Sequence, residues 1–315
     1  MDPIVFVFVA TAAVLHVAWN VLLKTAGDPL RAAAVGMATA AAVLCPVALG
    51  AWLWTGRPAI PSWTLGLSVA SGALEALYFA FLAAAYRRGD LSLVYPLARG
   101  TAPLIAVAIG VFVLNETLTP TGSLGVICLL IGILALQRPW QYLRAAGREH
   151  GGAAGYAMLT GVTIAAYSAV DSVGVQGTAV WIYAGLIWAW MTTFLWGYVW
   201  VYRSRTAARL AASTGGGTIA IGSVGEEPAP DEPEAFSRRR AGIGGLLTLA
   251  AYFLILAAYS VAPLTAVAPL RESAIVLASG WGALRLHEAA DTRDAVRRIG
   301  AAVLVVSGAV LLALE

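Results

Sequence analysis

Apolar residues come in ten long runs broken by short polar stretches: 4–23, 32–54, 63–85, 92–114, 119–136, 153–174, 179–202, 243–261, 264–284 and 297–314. A membrane-spanning helix takes about 20 apolar residues, and about 17 to 25 with tilt. The pattern predicts an all-α polytopic membrane protein with ten transmembrane helices. Trp52, Trp54, Trp63, Trp140, Trp181, Trp200 and Tyr202 gather near run ends, where amphipathic rings favour the headgroup level. The acidic opening Met1-Asp2-Pro3 and the length of the run behind it read as a first span rather than a cleavable signal.

One break is long, about 203–241. It holds Gly215-Gly216-Gly217, the acidic and proline-rich stretch Glu226–Glu234, and Arg238-Arg239-Arg240. It has too little apolar surface to bury and is expected to be a disordered loop. The other breaks set the orientation. Of the 20 Lys and Arg residues, 17 fall in odd-numbered loops, counting Arg297 and Arg298 at the border of the ninth, only Arg57 falls in an even-numbered loop, and Arg99 and Arg271 lie deep within spans. The positive-inside rule puts odd loops in the cytoplasm and both termini outside, in the cell (inner) membrane.

The runs repeat. Tyr78-Phe79 matches Tyr252-Phe253, Tyr86 matches Tyr259, and Pro96-Leu97 matches Pro269-Leu270; Asn20 lines up with Asp171. The chain therefore reads as two five-helix halves, 1–150 and 151–315, with the long loop in the second. Because five is odd, the second half enters the membrane inverted. Inverted repeats are the signature of alternating-access transporters, with the substrate at the repeat interface.

Composition sharpens this picture. Hydrophobic residues make up 60% and charged residues 12%, against about 25% charged in a soluble domain. With a net charge of +3 in scattered loops, no basic face for nucleic acid emerges. Cys45 and Cys128 sit inside apolar runs and read as packing residues. No motif for a metal, redox centre or nucleotide phosphate is present, so no cofactor is expected.

The segments His16-Val17-Ala18-Trp19-Asn20, Lys24, Gly89-Asp90-Leu91-Ser92, Tyr95-Pro96-Leu97-Ala98-Arg99-Gly100, Pro103 and Asn115-Glu116-Thr117 resemble the drug/metabolite transporter superfamily in its ten-helix EamA branch. The resemblance covers nearly the whole chain. It implies export of amino acids, metabolites or drugs, and places both termini in the cytoplasm. The charge count reverses that orientation here, and the count is retained.

Ionisable residues within spans are costly and face a cavity or a partner. They are His16, Glu75, Arg99, Asp171, Arg271 and Glu272. Glu75, mid-span, suits a site that takes up and releases a proton, or one that contacts substrate. Arg99 and Glu272 each follow a matched proline by three residues and are placed to pair near the pseudo-two-fold axis; a substrate contact is the alternative for Arg99. Asn20 and Asp171 are matched polar positions near the ends of their spans, with a helix cap or a solvated residue as the alternative. Trp19, Tyr78, Tyr95 and Tyr252 offer aromatic walls, and Pro96, Pro103 and Pro269 remove backbone donors and kink their helices.

These residues point to a secondary transporter, an exporter of a small polar or amphipathic metabolite such as an amino acid. It would work by alternating access, driven by protons or as a uniport, and a monomer suffices. The rival readings are a sugar-phosphate or nucleotide-sugar exchanger of the same superfamily, which needs more cavity-facing cations, and a membrane-embedded enzyme or lipid flippase, which needs a converging catalytic set.

Overall fold

The computed structural model describes residues 2–24, 28–88, 91–141, 151–214, 236–272 and 292–314. Among these there is no strand. The helices are α1 (Pro3–Lys24), α2 (Pro29–Trp54), α3 (Ser62–Tyr86), α4 (Leu91–Phe112), α5 (Pro120–Gln137), α6 (Gly151–Gly174), α7 (Val180–Thr214), α8 (Arg238–Tyr259), α9 (described over 264–272) and α10 (Thr292–Ala313). Six stretches are long and apolar enough to cross a membrane, in α2, α3, α5, α6, α7 and α8; shorter apolar helices cover Pro3–His16, Leu97–Phe112 and Ile299–Leu312. The protein is thus a multi-pass membrane protein, helical throughout the elements of its described residues.

Helix starts follow local chemistry. Asp28 accepts from the Arg31 N–H at 3.1 Å with Pro29 as the next residue, and Thr119 accepts from the Gly122 N–H at 3.1 Å with Pro120 next. A side-chain acceptor satisfies an orphan N–H, and proline at the first helical position has none to lose. Helix α2 stops at Thr55-Gly56, where Gly56 adopts φ +83°.

The long loop is shorter than its composition suggests. Helix α7 continues through Arg203 to Thr214, and α8 begins at Arg238. The segment Ala207-Ala208-Arg209-Leu210-Ala211-Ala212 is built from strong helix formers, which extend a helix past the apolar run that starts it. The remainder, 215–235, lies outside the described residues.

The main helix contacts join the first five helices to the later ones: α3 packs on α6 and α7, α1 and α2 on α8, α2 on α7, α4 on α6, and α5 on α10. Two crossings are made by bare backbone. A Cβ on Gly245 of α8 would stand 2.0 Å from the Gly36 carbonyl oxygen of α2, and one on Gly308 of α10 would stand 2.6 Å from that of Gly125 in α5. Small residues permit this approach, and close packing replaces the hydrophobic drive that lipid does not supply.

Candidate functional site

A polar stripe runs down α3. Thr64, Ser68, Ser71 and Glu75 are all buried, and their spacing keeps them on one helical face. On α6, Thr160, Thr163, Tyr167 and Asp171 do the same. The two helices pack together, so the polar stripes turn inward while Leu65, Leu77, Leu159 and Val162 remain exposed on the outside.

Between these helices, α1, α7 and α8 lies a cavity of about 40 Å3 bordered by His16, Trp19, Glu75, Tyr78, Tyr252 and Arg271, with Phe79, Tyr167, Trp188 and Thr248 completing the wall. Its rings form an unbroken series of contacts. Ring centroids are separated by 5.0 Å for His16–Trp19, 6.3 Å for Trp19–Phe79 and 4.9 Å for Phe79–Tyr78. The series continues at 6.0 Å for Tyr78–Tyr167, 5.7 Å for Tyr167–Tyr252 and 5.9 Å for Tyr252–Trp188. It passes from α1 through α3 and α6 to α8 and α7.

Beside the cavity, Arg99 Nη1 donates to Glu272 Oε1 at 2.9 Å, and Arg271 Nε reaches the same oxygen at 3.2 Å. Arg271 Nη1 donates to Ser168 Oγ at 3.3 Å. His16 is held by two neighbours: its Nδ1 accepts from the Trp19 indole N–H at 3.0 Å, and its Nε2 meets Arg99 Nη2. Asp171 accepts from the Tyr183 hydroxyl at 3.0 Å and from the Tyr252 hydroxyl. It is fully buried, so the solvated helix-end alternative is set aside. Glu75 is 6% exposed, and its Oε1 has no hydrogen-bond partner among the described residues. The same holds for Trp188 Nε1.

Pro103 and Pro269 are buried in α4 and in the described part of α9, and α4 runs through Pro96. The side chains of Asn20, Tyr95 and Pro96 lie outside the description.

One residue was quoted from the sequence only as part of a motif. Glu116, in the turn after α4, accepts from the Leu264 N–H at 2.8 Å and the Thr265 N–H at 2.9 Å. It caps the start of α9, where a carboxylate meets orphan N–H groups and the positive helix end. Asn115, with φ 54°, turns the chain just before it. Nothing in local spacing announces a partner 148 residues away.

Residues 3–137 match the EamA-like transporter family, part of the drug/metabolite transporter superfamily. No curated protein matches the chain. A solved crystal structure of a protein is similar over 99% of this chain and 96% of its own, with a TM-score of 0.58 at 18% identity. That likeness is one of fold.

Proposed function

We propose, on the premise that residues 3–137 belong to the EamA-like transporter family, that this chain is a secondary transporter exporting a small polar or amphipathic metabolite, such as an amino acid, by alternating access. The observation that carries the reading is the cavity: helices from both ends of the sequence supply its wall, and it holds ionisable side chains at membrane depth. Sites of this kind sit at the interface of two repeats.

Two inverted five-helix units, 1–150 and 151–315, make ten spans in this reading. The helix contacts support it. Exchanging α1 with α6, α2 with α7, α3 with α8 and α5 with α10 turns the α3–α6 contact into α8–α1 and the α3–α7 contact into α8–α2; α2–α7 and α5–α10 map onto themselves. Glu75, the carboxyl on the cavity without a hydrogen-bond partner, is the group suited to proton coupling. Both arginines are engaged by Glu272, which favours a metabolite over a sugar phosphate. Odd loops face the cytoplasm and both termini face out.

Counterflow tests the reading. Proteoliposomes preloaded with each member of a metabolite panel should accumulate the matching radiolabelled compound at equal pH. Absence of counterflow for every small metabolite, from protein shown to be folded, would remove the transporter assignment.

A further inference from the structure

The charged side chains buried in and beside the cavity among the described residues are Arg99, Arg271, Glu75, Asp171 and Glu272. They comprise two cations and three anions. His16 adds no charge to this set, since its Nδ1 accepts from the Trp19 N–H and a protonated ring has no acceptor nitrogen. Glu272 answers both guanidiniums, and Asp171 is answered by two tyrosine hydroxyls. Glu75 is left without a hydrogen-bond partner at the cavity wall, 94% buried. An ionised carboxylate without a partner at such a depth is expensive, so Glu75 is either protonated or answered by a cation that the described residues do not supply.

The same cavity is lined by Trp19, Tyr78, Phe79, Tyr167, Trp188 and Tyr252. Aromatic rings attract an ammonium held against them and shelter an apolar body equally well.

We propose that this cavity takes a monovalent amphipathic organic amine, its ammonium paired with Glu75 and its apolar part packed on the rings. The inference rests on the transporter reading and narrows its substrate class. With Glu75 ionised, a monocation brings the charges of the described residues to balance. A zwitterion leaves one negative charge over, and an anion leaves two. The cavity widens to admit the guest, as alternating access requires.

Matched compounds that differ only in charge test it. The full chain in lipid nanodiscs is titrated by calorimetry with 2-phenylethylamine, phenylalanine and 3-phenylpropionate, then with tryptamine, tryptophan and 3-indolepropionate. Each amine should bind at least about tenfold more tightly than its amino acid, and the acids should not bind. Glu75→Gln should weaken amine binding by about tenfold or more. If that variant fails to fold, the charge series on the unaltered chain decides alone. Equal binding across a series, no binding by either amine, or full amine affinity in folded Glu75→Gln overturns the proposal. Counterflow separates the two readings. A bound amine that shows no counterflow defeats transport and leaves the site standing; counterflow of the amino acid without amine binding defeats the site and leaves transport standing.

Discussion

Arg99 and Glu272, 173 residues apart, meet in the protein interior with 2.9 Å between Nη1 and Oε1, and their side chains are 5% and 1% exposed. The same carboxylate oxygen also receives Arg271. Breaking a buried pair from one side leaves an uncompensated charge and costs about 3–5 kcal/mol. Arg99→Ala and Glu272→Ala should each lower stability in detergent. Glu272→Ala should be the worse, because it strands two guanidiniums. The double variant should fall short of additivity by about 0.5–3 kcal/mol. Thermal unfolding of the four proteins checks this, and strictly additive losses would refute the coupling.

Glu116 offers a second stability test. Its carboxylate serves two N–H groups at the start of α9. Glu116→Ala removes both acceptors, and loss of such a cap costs about 0.5–2 kcal/mol. Glu116→Gln keeps one acceptor oxygen and should lose less. A melting curve in which Glu116→Ala matches the parent would show that the contact is energetically idle.

The Gly36–Gly245 crossing predicts a large asymmetry between glycines. Gly245→Ala places a methyl 2.0 Å from the Gly36 carbonyl oxygen, whereas a Cβ at Gly50 meets nothing within 4 Å. The first substitution forces α2 and α8 apart, at about 1–3 kcal/mol for overpacking. The second should be neutral or stabilise by up to about 1 kcal/mol through helix propensity. Comparable melting temperatures for the two variants would contradict the close approach.

Orientation is open to a direct assay. A reporter fused after Glu315 should be active only outside the cytoplasm, and one inserted at Arg144 only inside. The reverse result would show that something other than the Lys and Arg distribution governs insertion.

The loop makes the fifth test. Replacing 217–234 with a short Gly/Ser linker should leave folded yield and counterflow nearly unchanged, since closure entropy depends weakly on length. Size-exclusion profiles and transport of the shortened chain are the measurements. Loss of monodisperse protein would show that the segment packs against the helices.

The helical class and most element positions could be read from the sequence because unbroken apolar runs bounded by charge, glycine or proline leave few alternatives at membrane depth. The Arg99–Glu272 contact was legible too, since each residue follows a Pro-Leu pair at the same spacing. Hydropathy carried no sign of the helix over 203–214, which rests on alanine propensity outside the apolar run. Nor could it reveal the Glu116 cap or the Tyr183 and Tyr252 hydroxyls on Asp171. Periodicity reports which face of a helix turns inward, but partners across the interior depend on helix rotation and tilt, which packing decides.

The Glu116 contact has a mechanical consequence. The turn between α4 and α5 is covalently part of the first five helices, yet two hydrogen bonds fasten it to the leading end of α9. If α9 tilts, this turn is carried with it unless both bonds break. Under the proposed alternating access, the boundary between moving parts would then fall after this turn rather than at 150/151, where the proposed halves meet.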